Sequence, residues 1–140
     1  MTEFISEIKT IPYDDRVVYE MLSDLNNLEK VRDRIPSDKM EDFTFDGDSC
    51  SFLIKPVGKV RFSIVDREPP KTIKFSVDQA PVDACMWIQL KKTGERETKM
   101  KLTIRADLNP FIKPMLSKPL QDGINQVADM LAKIPYETLA

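Results

Sequence analysis

Residues Ser117 to Ile134 carry the feature that most constrains this chain. Leu116, Leu120, Ile124, Val127, Leu131 and Ile134 recur at steps of three and four, after a long stretch in which apolar and polar residues alternate one by one. The steps match a 3.6-residue period and predict one long amphipathic helix with a single apolar stripe. The alternating segments predict antiparallel strands with one apolar and one wet face. That apolar face is the only surface large enough to cover the stripe. A sheet bent around one helix encloses either a filled core or a hollow, and the difference separates a scaffold from a binding protein.

With 140 residues, 41% of them hydrophobic, the chain is expected to form one domain, 1–140, that needs no disulfide or metal to close its core. A net charge of -2 argues against nucleic acid as a partner, because a polyanion rewards a basic surface. No apolar run approaches the roughly twenty residues of a bilayer-crossing helix, so no transmembrane segment is expected. Residues 1–6 lack the basic start and apolar core of a secretion signal, and the expected compartment is the cytoplasm. Histidine is absent, which removes the commonest general base and zinc ligand near neutral pH. Cys50 and Cys85 sit inside strand-like runs, read as packing residues, and cannot make a zinc set alone. No metal and no cofactor is expected.

Along the chain, Phe4 to Ile11 reads as a first strand ended by Pro12. Asp14 or Asp15 then caps a short helix through Val17, Val18, Met21 and Leu22. Asp24 offers a second cap, and Leu25, Leu28 and Val31 predict a second short helix, stopped at Ile35-Pro36. From Glu41 the pattern becomes hairpins. Asp46-Gly47-Asp48, Gly58, Glu68-Pro69-Pro70-Lys71, Ala80-Pro81-Val82 and Thr93-Gly94-Glu95 separate six strands. Their inward phases hold Phe45; Cys50, Phe52 and Ile54; Val60, Phe62 and Ile64; Ile73, Phe75 and Val77; Ala84, Met86, Ile88 and Leu90; and Met100, Leu102, Ile104 and Ala106.

The candidate ligand-lining set follows from that phase: Phe45, Phe52, Phe62, Phe75, Met86 and Met100 from the strands, and Met115, Leu120, Gly123, Ile124 and Val127 from the helix region. Folding alone also accounts for apolar residues there, so their chemistry does not discriminate between core and lining. Gly123 adds a clue. A mid-helix glycine costs about 1 kcal/mol relative to alanine, which a close approach or spare volume offsets. Pro110, Pro114 and Pro119 around Phe111, Ile112, Met115 and Leu116 make the helix entrance irregular and apolar, suited to a lid or to a rigid turn. Few polar residues share the inward phase: Glu41 with Phe43 and Phe45, Gln79 with Phe75 and Val77, Asp66 with Phe62 and Ile64, and Ser6 with Phe4 and Ile8. A desolvated Glu41 is a candidate proton donor or acceptor, and Gln79 a candidate to orient a ligand oxygen. At a strand end, each is also an ordinary solvated group. On the other face Arg61, Lys74, Lys101 and Arg105 accompany Trp87, read as a solvated face with the indole covered by basic stems.

Three stretches together resemble the START-like superfamily, also called SRPBCC, over essentially the whole chain: Ile11-Pro12-Tyr13-Asp14 leading into Val17-Val18-Tyr19 and Leu22-Ser23-Asp24, the Arg67-Glu68-Pro69-Pro70-Lys71-Thr72-Ile73 crossing, and the closing leucine-striped helix. The resemblance implies an α+β helix-grip fold: a seven-stranded curved antiparallel sheet wrapped around a long C-terminal helix, with two short helices after strand 1. It also implies an elongated apolar cavity and a small hydrophobic molecule as partner, whether lipid, quinone, isoprenoid or aromatic polyketide. Two alternatives come with the superfamily. One is a polyketide cyclase, dehydratase or aromatase, here resting on Glu41 with Tyr19 or Gln79. The other is a protein-interaction module of the chaperone-activator type working through the surface around Trp87, with its protein partner unknown.

Overall fold

The computed structural model describes residues 2–34, 41–54, 58–78 and 83–136. In chain order the elements are β1 (Thr2–Ile5), β2 (Lys9–Ile11), α1 (Asp15–Leu22), a 3₁₀ helix (Leu25–Arg34), β3 (Glu41–Phe45), β4 (Ser49–Ile54), β5 (Gly58–Glu68), β6 (Thr72–Asp78), β7 (Ala84–Gly94), β8 (Glu97–Ala106) and α2 (Lys113–Ala132). All strands join one antiparallel sheet in the order β1-β8-β7-β6-β5-β4-β3, with β2 also paired to β8. This is the α+β helix-grip arrangement, with eight strands among the described residues rather than seven because the first strand is broken.

The inward phases line up across the strands. Phe4 pairs with Ile104, Ile104 with Met86, Met86 with Phe75, and Phe75 with Ile64, so five buried side chains form one row. A parallel row runs from Leu102 through Ile88 to Ile73. Period-2 alternation then commits every residue of a strand to one face once a single pair is set.

Four local departures from the sequence reading have physical causes. The break between β1 and β2 falls at Ser6, whose hydroxyl accepts the Leu102 amide (2.8 Å) and donates to the Glu7 carbonyl (3.0 Å). A side chain thus replaces main chain in the ladder, and Ile8 turns outward, 66% exposed. The second short helix is 3₁₀ rather than α, entered through Asp24 Oδ1, which accepts the Asn26 amide (3.0 Å). In β5, Ile64 pairs with Phe75 but Asp66 pairs with Lys74, so a bulge moves Asp66 to the outer, solvated phase. In β3, Thr44 pairs with Ser51 but Glu41 pairs with Leu53; the two residues between Glu41 and Thr44 face only one, Phe52.

Helix α2 begins at Lys113, one turn before the predicted start. Pro114 sits in its first turn, where no intrahelical amide is needed. Pro119 lies inside the helix and has no amide to donate to the Met115 carbonyl one turn earlier. Asp14 caps α1 as expected, its carboxylate accepting the Arg16 amide at 2.9 Å.

Candidate functional site

Helix α2 lies along β8, β1 and β2 rather than over the middle of the sheet. Two hydrogen bonds fix its near flank to that edge: Gln121 Nε2 donates to the Ile5 carbonyl and the Glu7 amide donates to Asn125 Oδ1, both 2.9 Å. Ile124, Ala128 and Leu131 point down into solid packing and are buried. At 100° per residue, Leu120, Gly123 and Val127 fall on the flank turned away from the hydrogen-bonded edge, toward the rest of the sheet. Leu120 and Val127 are only partly buried.

The sheet repeats this division. Ile73, Met100 and Leu102 are completely buried. The inward residues Cys50, Phe62, Val77 and Ala84, on β4 to β7, are only half covered, as is Phe45 on β3. Far from the helix, then, the concave apolar face lacks a full lid. On that flank of the helix, a Cβ built on Gly123 meets no atom within 4 Å. Phe45, Phe62 and Val77 on the sheet and Leu120, Gly123 and Val127 on the helix are thus incompletely covered.

The candidate residues divide accordingly. Phe75, Met86 and Ile124 (9% exposed or less) belong to the packed core, as does Met100, which pairs with Lys9 of β2. Met115 is a correction: it is 68% exposed and points outward, because on the helical period it stands opposite Ile124, while Leu116 takes the inward place. Glu41 is a second correction, since the β3 bulge puts its backbone position in register with Leu53 on the outer phase rather than with Phe45. The side chains of Glu41 and Phe52, and all of Gln79, lie outside the described residues.

Two groups in reach of chemistry are held neutral. Tyr19 is buried between α1 and β6, its hydroxyl donating to the Thr72 carbonyl (3.3 Å), and burial raises its pKa above the usual phenol value. Burial pushes the Cys50 thiol up to about 12, with nearby Asp46 adding to the effect. It is therefore a protonated packing group rather than a nucleophile.

A second depression, missed from the sequence, lies at the β3–β4 hairpin beside β5, with a volume of about 330 Å³. Thr44, Ser51 and Arg61 share the outer phase there, which is the signal that would have located it. Its polar groups already serve one another. Arg61 Nη2 donates to Ser49 Oγ (3.2 Å), Ser49 Oγ donates to Asp46 Oδ2 (3.1 Å), and the Thr44 and Ser51 hydroxyls are 2.7 Å apart. The Asp48 and Ser49 amides hold the Asp46 carboxyl below its ordinary pKa. On the outer face, Trp87 is flanked by Lys74 Nζ at 5.5 Å and Arg105 Cζ at 5.7 Å from its ring, so basic stems do cover the indole.

No family model and no curated protein sequence matches the chain. Solved structures do. Norcoclaurine synthase from Thalictrum flavum, in complex with dopamine and hydroxybenzaldehyde, superposes with a TM-score of 0.72 at 13% identity, over 94% of this chain and 86% of that one. A START superfamily protein from Mycobacterium smegmatis gives a TM-score of 0.72 at 10% identity over 99% of both chains. A protein from Thermus thermophilus, TTHA0849, gives 0.67 at 18% identity, over 94% of this chain and 95% of that one. The fold is START-like.

Proposed function

We propose that this START-like domain binds and carries a small apolar molecule in the space between α2 and the inner faces of β3 to β7. The observation that carries the reading is the half-covered inward set Phe45, Phe62 and Val77, together with the open side of Gly123 on the helix. Exposed inward aromatic and aliphatic groups leave apolar surface in contact with water, and an occupant that covers it gains about 25 cal/mol for each Å² removed from solvent. Flat or flexible ligands with few polar atoms suit this lining: a lipid chain, a quinone, an isoprenoid or an aromatic polyketide. Norcoclaurine synthase, which shares the fold, is found in complex with the small aromatic molecules dopamine and hydroxybenzaldehyde, which supports a small-molecule occupant here.

The proposal stops at binding. Tyr19 is engaged with the main chain and Glu41 stands in the outer register, so neither supports the cyclase or aromatase alternative. Trp87 is already flanked by Lys74 and Arg105, which leaves the interaction-module alternative without a free aromatic anchor. The test is native mass spectrometry of the chain purified from its source cell, together with titration of an apolar fluorescent probe. A co-purifying apolar mass, or saturable probe binding lost in Gly123→Leu, supports the reading. Repeated absence of both overturns it.

A further inference from the structure

We infer that the turn entering α2 is a docking tip for the surface of an anionic lipid bilayer. Phe111 (88% exposed) and Met115 (68% exposed) are the two most exposed of the large hydrophobic side chains among the described residues, and they stand within a helical turn of each other. The tip is held firmly. Asn109 Oδ1 accepts the Phe111 and Ile112 amides (2.9 and 3.0 Å), the Asn109 carbonyl accepts the Ile112 and Lys113 amides (3.2 and 3.0 Å), and Leu116 is buried beneath. Phe111 is thus presented to solvent by a pinned turn.

Charge selects the partner. Residues 108–121 contain Lys113 and Lys118 and no carboxylate, in a chain that has 23 Asp and Glu. Asp107 and Asp122 lie just beyond the two ends of the segment. Protruding apolar side chains accompanied by the exposed Lys113 and Lys118 match the boundary of a negatively charged bilayer, where the apolar groups enter the acyl region and the ammonium groups meet the headgroups. A second copy of the chain is a poorer occupant. A stable dimer needs about 800 Å² from each partner, whereas one aromatic side chain offers about 150–250 Å².

Position adds to this. The Asp107 amide donates to the Asp83 carbonyl (2.9 Å), and Ala84 pairs with both Ala106 and Val77, so the tip stands at the end of the sheet where the concave face is half covered. A molecule leaving or entering that space at this end would pass directly between protein and bilayer. The inference goes beyond the binding proposal and does not depend on what occupies the space.

The test is co-sedimentation of the full chain with phosphatidylcholine vesicles made with and without phosphatidylserine. Binding to the phosphatidylserine vesicles is expected, falling tenfold or more in Phe111→Ser with Met115→Ser and about fivefold in Lys113→Gln. Thermal melts of these variants should stay close to the parent, because Phe111, Met115 and Lys113 are exposed. Equal binding by parent and the double serine variant overturns the inference, as does no binding to either vesicle. Concentration-dependent dimerisation abolished by the serine changes, without vesicle binding, also overturns it and assigns the tip to self-association. Gly123→Leu should keep vesicle binding while losing the apolar probe, so failure of one proposal is read separately from failure of the other.

Discussion

Replacing Gly123 should separate stability from binding. A Cβ at this position meets no atom within 4 Å, so Gly123→Ala adds no steric cost. The backbone is mid-helix in α2, where alanine is favoured over glycine by about 0.8–1.0 kcal/mol. For a domain of this size that corresponds to a rise in melting temperature of about 3–5 °C. Gly123→Leu keeps nearly all of the helix preference and puts a side chain into the proposed space, where it competes with any occupant for the same apolar surface. The leucine variant should therefore melt no lower than the parent while its affinity for an apolar probe falls tenfold or more, a loss of at least about 1.4 kcal/mol. Differential scanning calorimetry and probe titration on the same samples give both numbers. A fall of about 1–3 kcal/mol in stability for alanine or leucine would mean overpacking of a closed core, and the placement of the space would be wrong. Unchanged probe affinity in the leucine variant would refute it from the other side.

Other outcomes follow from the same division. Met100→Ala, in the packed core, should cost about 2–5 kcal/mol in denaturant unfolding and leave probe affinity within twofold, whereas Phe62→Ala should lower affinity with a smaller loss of stability. Tyr19→Phe removes one hydrogen bond to the Thr72 carbonyl and should cost about 1 kcal/mol, with probe binding and its pH profile unchanged; altered turnover of any substrate would instead give Tyr19 a chemical role. Asp14, Asp46 and Asp129 all have carboxyls held below their ordinary pKa, by the Arg16 amide, the Asp48 amide and Lys133 respectively. Their contribution is present above the unfolded-state value and lost as pH falls through the lower folded-state values, so urea midpoints should drop on the acid side of about pH 4. Asp46→Asn should flatten part of that slope. Cys50 should resist iodoacetamide at pH 8 in the native protein and react on unfolding, since its thiol is raised to about 12.

Much of the fold could be read from period alone. Phe62, Ile64, Ile73, Phe75, Met86 and Ile104 share a face because strands commit alternate residues to one side, and the cross-strand rows follow that phase. What escaped were places where one residue breaks the count. The bulges at Val65 and before Thr44 reassign Asp66 and Glu41, and no local pattern announces a bulge when the strand continues on both sides. The Ser6 break was equally silent, because it depends on a hydroxyl reaching a partner strand ninety-six residues away. Met115 leaves the helix-facing set because its helical phase stands against that of Ile124, a count that the proline-rich helix entrance obscures. Within the candidate site, hydrophobicity located the concave face, but the distinction between Met100 and Phe62 depends on where α2 docks, and only tertiary packing decides that.

The central claim is that the concave face beyond α2 is open and takes an apolar occupant while the face beneath α2 is solid. Side-chain NMR during titration with an apolar probe tests it most directly. Saturable shifts are expected in Val77, Leu120, Val127 and the Phe45 and Phe62 rings, with Ile73, Met100 and Leu102 unmoved. Shifts confined to the buried set, or none at saturating probe, would contradict it.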